Sequence, residues 1–289
     1  MVATRLKFNL DAGTHVIDLN QALSEYHRKL HRQKVVTTVY GGYIRNNASA
    51  SAKFNVAPIS WTAKAAVNRA FDKWRQMIRE TIDGRKGLRT GKWNDFKVHL
   101  TSNTETKAYA RDSTGNRLSA GEWDYSTLHQ PRLVDPDGDG GFEFDGNMDE
   151  YDLHIIGAHA GSAPNFTSIG LIKSWYDSRP GIDSSGSPTD VPDTADPLSN
   201  LFEVEDNDNE KVAVIQSEGD LPPYARTSPF GMAGLSPAGI ADNAAQPTVG
   251  ALGSHIHGFQ ALCGLVQVVV SGAGTTEVFL DVESEGEKF

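Results

Sequence analysis

The chain has one cysteine in 289 residues, Cys263, so no intrachain disulfide can staple it. The neighbours of that cysteine, Ala261, Leu262, Gly264 and Leu265, are apolar or small. That setting marks a buried structural thiol rather than a nucleophile, and a chain that matures in a reducing cell interior. No apolar run approaches the ~20 residues of a membrane-spanning helix, and residues 1–7 lack the apolar stretch of a secretion signal. No membrane partner is expected. Catalytic vocabulary is scarce too. There is no Gly-x-x-x-x-Gly-Lys phosphate loop, no Gly-x-Ser-x-Gly elbow and no dinucleotide fingerprint after a strand. Carboxylate pairs such as Glu122 and Asp124 are too easily met in so acidic a chain to argue for glycoside hydrolysis. No enzyme is expected.

Lysine is also rare past residue 97, where only Lys107, Lys173, Lys211 and Lys288 remain. This is one side of a split in charge. Residues 1–97 hold 18 of the 27 Lys and Arg against 7 of the 37 Asp and Glu, a net of +11. The remaining 192 residues hold 9 against 30, a net of −21. Such an asymmetry speaks of partners: one part attracts a polyanion, the other invites cations. A carboxylated, lysine-poor surface also suits a salty milieu, where counterions screen self-repulsion.

What is present in quantity is short β-type alternation. Strands are expected at 15–19, 35–40 with 43–44 (bent at Gly41 and Gly42), 95–101, 151–156, 169–176, 211–216, 265–270 and 277–282. Residues 61–82 differ. Val67, Ala70, Phe71, Trp74, Met77, Ile78 and Ile82 fall on one helical stripe, with Ser60 or Thr62 as cap and Gly84 as stop. A shorter helix is expected over 20–31. Residues 179–209 and 225–257 read as long surface loops of a single domain spanning 1–289.

Three constellations carry chemistry. Asp135-Pro-Asp137-Gly-Asp139-Gly140 places carboxylates at alternate positions before a glycine, as a calcium loop requires. Its twelfth position is Gly146, so Glu143, Asp145 or Asp149 must complete the set; otherwise the segment is an acidic hairpin tip. His154, His159, His255 and His257 read as satisfied or exposed side chains rather than metal ligands, since no metal-site spacing supports them. The basic stretch is interleaved with aromatics: Arg28, Lys29, Arg32 and Lys34, then Lys73-Trp74-Arg75, then Arg85, Lys86, Arg89 and Lys92-Trp93. Cations neutralise phosphates and indoles stack on unpaired bases, so these residues are candidates for nucleic-acid contact.

The order of parts carries a resemblance. An Arg28-Lys-Leu-His-Arg-Gln-Lys34 segment leads to Tyr40-Gly-Gly-Tyr43 and the tryptophan-rich helix. Gly91-Lys-Trp-Asn-Asp-Phe-Lys-Val98, Gly121-Glu-Trp123, Tyr151-Asp-Leu-His-Ile-Ile-Gly157, Trp175-Tyr-Asp-Ser-Arg179 and Phe259-Gln-Ala-Leu-Cys-Gly-Leu265 follow. Together these segments resemble the single-jelly-roll capsid proteins of small circular single-stranded DNA viruses, of the marine and environmental kind. The resemblance implies an all-β jelly-roll sandwich of about eight strands, with one amphipathic helix inserted between early strands. It implies a coat protein made in the host cell interior that assembles with itself into an icosahedral virion around single-stranded DNA; calcium on the carboxylates of 135–145 would then adjust the contacts between copies. Such proteins often begin with a long Arg-rich arm. Here Arg5 and Lys7 alone stand at the start, which moves genome contact to 28–34 and 64–92. Rival expectations are a calcium-dependent carbohydrate-binding β-sandwich and a β-sandwich hydrolase.

Overall fold

A computed structural model of the chain describes residues 3–82, 91–102, 106–118, 120–134, 143–162, 165–178, 242–249, 252–283 and 286–289. The strand expected at 211–216, the loop at 179–209 and most of that at 225–257 lie outside the described residues. Strands β1 (Ala3–Leu10), β2 (Gly13–Asp18), β3 (Val35–Asn46) and β4 (Ala50–Val56) come first, with helix α1 (Leu19–His27) between β2 and β3. Helix α2 (Trp61–Ile82) follows, then β5 (Thr106–Ala108), β6 (Thr127–Val134), β7 (Glu143–His154), β8 (Ala160–Ser162), β9 (Asn165–Gly170) and helix α3 (Leu171–Asp177). The series continues with β10 (Asp242–Ala245), β11 (Thr248–Val249), β12 (Ser254–Leu262), β13 (Leu265–Gly272), β14 (Thr276–Glu283) and β15 (Glu287–Lys288).

Period-two burial builds the first sheet. In β1, Leu6, Phe8 and Leu10 face inward while Arg5 and Lys7 face out. β14 mirrors it with Val278, Leu280 and Val282 inward. Their register sets Arg5 opposite Asp281, and the guanidinium donates to both carboxylate oxygens at 2.7 Å. Exposed pairs of this kind are worth ~1 kcal/mol or less, so the apolar face holds the strands together.

The first sheet runs β1-β14-β3-β12, with β15 beside the start of β3. The second runs β10-β4-β13-β2-β5, with β11 also on β4. Successive strands alternate between sheets: β1, β3, β12 and β14 lie in the first, and β2, β4 and β13 in the second. Phe8, Val39 and Leu280 of one inner face meet Ile17, Phe54 and Val268 of the other, all fully buried. The architecture is a mostly β protein with a two-layer sandwich. Cys263 and Gly264 turn the chain between the sheets with both φ angles positive, 57° and 67°. A Cβ on Gly264 would stand 2.4 Å from Asn20 Nδ2.

The described residues from Ala57 to Tyr176 build a second core against this corner of the sandwich. α2 starts at Ser60, whose Oγ accepts from Ala63 N at 3.1 Å. It buries Ala63, Ala66, Val67, Ala70 and Trp74 against Phe96, Val98, Leu153, Ile172 and Leu262. A third sheet, β6-β7-β9-β8, flanks it. No helix among the described residues is long and apolar enough to cross a membrane.

Several expectations need correction. The described residues hold a third helix, α3, besides the two expected. Residues 169–176 finish β9 and then turn into α3. Residues 95–101 bury Phe96, Val98 and Leu100, and Lys97 and Thr101 with them, and form no strand. Their amides are taken by scattered acceptors: Lys97 N by Ser126 Oγ, Val98 N by Gln33 Oε1 and His99 N by Leu153 O. β3 runs through Gly41 and Gly42 as one strand, with a register irregularity against β14 between Val39 and Gly41, beside the expected bend.

Candidate nucleic-acid interface

The short helix α1 organises the site. Asp18 caps it, accepting from Gln21 N at 3.0 Å with one carboxylate oxygen. The other accepts from Gln33 Nε2 at 2.7 Å and from the Trp123 indole Nε1 at 2.8 Å. Asp18 is buried, and burial pushes its carboxyl above the usual range, against the pull of Lys107 and these donors. The cap thus pins an indole 105 residues away. At its other end α1 stops at Arg28, which adopts the left-handed conformation with φ 55°.

A cleft of about 750 Å³ opens beside this end of α1. Trp74, Met77 and Ile78 of α2 line one side, and Arg28 and Lys29 another. Residues 91–97 and 121–129 complete it with Lys92, Trp93, Lys97, Trp123 and Tyr125. Three of the five tryptophans and four cations therefore share one concavity. Trp93 is 60% exposed. The ammonium of Lys92 lies 5.0 Å from the Trp93 ring centre, and that of Lys97 lies 5.0 Å from the Trp123 ring. Backbone and side chain lock the two halves together, because Ser126 N donates to Lys97 O at 2.8 Å and Lys97 N donates to Ser126 Oγ at 3.0 Å. Glu122 and Asp124 are exposed lining residues of the same cleft.

Behind the cleft, the Tyr125 ring stacks on His99 at 3.7 Å between centres, and Lys107 Nζ lies 4.5 Å from its centre. Burial pushes the Tyr125 hydroxyl up and the Lys107 ammonium and His99 imidazole down. The three line a smaller cavity of about 230 Å³ with Asp152 and Ser168.

Of the expected cations, the cleft gathers Arg28, Lys29 and Lys92. Arg32 instead lies 3.7 Å from Asp95, whose carboxyl burial pushes up against the pull of that guanidinium. Lys34 caps the Phe71 ring at 4.3 Å. Lys73 and Arg75 stand on the exposed face of α2, where Lys73 reaches Gln76 at 3.4 Å. Arg85, Lys86 and Arg89 lie outside the described residues. So do Asp135, Asp137 and Asp139 of the expected calcium loop. Glu143 and Asp145 sit on the exposed part of β7. Asp145 accepts from Asn147 N at 2.8 Å and from its side chain at 3.2 Å, with Arg132 4.0 Å away. These contacts, the Asn147 amide first, hold its carboxyl below the usual range. Among the described residues no three His, Cys, Asp or Glu side chains converge as a metal cage.

The four histidines do not meet. His154 is fully buried, while His255 and His257 are exposed on β12 and His159 lies 3.4 Å from Asp177. Lys97 and the anchoring role of Asp18 were not legible in the sequence. Trp123 and Tyr125 sit in a coil without periodicity; the sequence marked Trp123 only within a segment of the resemblance, and Tyr125 not at all.

Comparison with known proteins finds no matching family, no matching curated protein and no matching solved structure.

Proposed function

We propose that this chain is a structural coat protein whose sandwich is a jelly roll, and whose copies assemble into a closed shell around single-stranded nucleic acid. The observation that carries the reading is the strand order. Numbering the seven longer sandwich strands and the four-residue β10, which is the fifth, along the chain, the sheets read 1-8-3-6 and 5-4-7-2. Nearly every connection crosses from one sheet to the other, which is how a long hairpin rolls up into a jelly roll. The fold itself does not dictate a function, so the reading leans equally on surface chemistry. The cleft supplies clustered cations and indoles for a polyanion with exposed bases. Phe144 and Met148, each more than half exposed, lie on one face of β7 and offer apolar area to a neighbouring copy.

A shell subunit shares upward of ~1,000 Å² with its partners. Purified protein should therefore form large particles of uniform diameter, seen by light scattering and by negative-stain electron microscopy across salt concentrations. Monomer alone at every concentration and salt overturns the proposal.

A further inference from the structure

We infer that the cleft beside α1 seats an unpaired base of a single-stranded polynucleotide, stacked on Trp93 with its phosphates on Lys92 and Arg28. The inference deepens the coat-protein reading, on which it rests for the source of the strand, but its chemistry holds for an isolated subunit.

Four features select this ligand. First, an indole left 60% exposed inside a concavity offers a free π-face, and every base has a face to match. Second, the cations are placed for a backbone beside that face. Lys92 stands 5.0 Å from the Trp93 ring, and Arg28 and Lys29 line the same cleft. A neutral sugar also stacks on tryptophan but has no use for such a set of cations, whereas a phosphodiester chain needs them. Third, four cations line the cleft against two acids, Glu122 and Asp124, both exposed. Fourth, a cleft of about 750 Å³ falls in the size range of small-ligand sites. It accommodates nucleotides splayed from a strand, while a duplex keeps its base faces against one another.

The walls are set before the ligand arrives. Trp123 is fixed by its bond to buried Asp18, and the Lys97–Ser126 bonds hold the segment that carries it. Little ordering entropy is then lost on binding. Sequence tolerance follows, because stacking and phosphate contact read no base identity.

The test is fluorescence anisotropy of labelled oligo(dT), oligo(U) and a duplex of equal length, titrated with full-length protein. Oligo(dT) or oligo(U) should bind more tightly than duplex. Trp93→Ala should weaken binding roughly 5- to 150-fold, the usual worth of one stacked base, and Trp93→Phe should restore part of it. Lys92→Ala should reduce the slope of log affinity against log salt by about 0.7. Trp61→Ala removes an indole of similar exposure that lies outside the cleft, beside Trp175, and should change nothing. Because Trp93 is exposed, its variants should keep the wild-type circular dichroism. The inference is overturned if Trp93→Ala binds like wild type, if duplex binds as well as single strands, or if neutral dextran displaces the oligonucleotide. Monomers that bind oligo(dT) through Trp93 would end the coat reading and keep the site. Particles that form while Trp93→Ala binds unchanged would do the reverse.

Discussion

Lowering the pH from neutral to about 4.5 should destabilise the fold, and His154 is the side chain through which it does so most directly. The ring is fully buried in the second core. Its Nε2 lies 3.0 Å from the carbonyl of Ala158, which can only accept, so that nitrogen carries the proton. Nδ1 lies 2.7 Å from Ser168 Oγ, whose hydroxyl donates to the carbonyl of Asp152 at 3.2 Å. Both nitrogens are occupied, and a second proton would place a charge on a ring shut away from water. Burial accordingly pushes the ring from its ordinary 6.5 down to about 4. The unfolded chain takes up its proton near 6.5, and the folded chain near 4. Stability is therefore complete above 6.5 and falls as pH drops between the two values. The loss runs at about 1.4 kcal/mol per pH unit, or about 3 kcal/mol over the window. His99 and His159 are lowered by burial as well and act in the same direction. Glu277 and Asp281, held down by Arg45 with Lys7 and by Arg5, add to the loss as pH falls through the ordinary carboxylate values toward their lowered ones. The difference between wild type and His154→Gln isolates the one ring, since glutamine keeps a donor and an acceptor but cannot titrate. Urea melts from neutral pH down to about 4.5 should show wild type losing stability more steeply than the variant, by about 1 kcal/mol per unit. Parallel curves for the two proteins would refute the argument.

Two further substitutions test the packing. Trp74 is 9% exposed, with its ring centre 5.8 Å from Phe96 and 6.2 Å from Phe71; Trp74→Ala should cost roughly 3–5 kcal/mol in urea melts. A loss under ~1 kcal/mol would mean that the ring serves the cleft and not the core. Gly42 crosses β14 so closely that a Cβ would stand 2.2 Å from the carbonyl oxygen of Phe279. Gly42→Ala must push the two strands apart at the centre of the first sheet and should cost about 3 kcal/mol, read as a drop in melting temperature. Unchanged melting would mean that the ladder shifts freely there.

The parts of the fold legible in advance were those specified by neighbours in sequence. α2 spans the expected 61–82, because its serine cap and its apolar stripe are both local signals. β2, β13 and β14 lie where β-branched alternation put them. Segment 95–101 shows the limit of that signal. Its alternation marks the buried Phe96, Val98 and Leu100 but misses Lys97 and Thr101, which are buried as well; a strand also needs ladder partners on its edges, and Gln33, Ser126 and Leu153 take those amides instead. Likewise 169–176 holds apolar residues compatible with either period, and packing against α2 decides for helix α3 beyond Gly170.

The cleft divides in the same way. Sequence alone determined that the cations crowd into residues 1–97 and that Lys92 adjoins Trp93, since composition and adjacency need no fold. It also determined that one face of each sandwich strand would be buried. Only the tertiary structure decided which sheet each strand joins, that Trp123 hangs from the cap of α1, and that Arg28, Trp93 and Trp123 face one concavity while Arg32 and Lys34 turn to other partners. The physical reason is that hydrophobic periodicity states which surface leaves water but not what it meets. The partner is chosen by packing and hydrogen bonding between segments far apart in the chain, and only the closed fold brings those segments together.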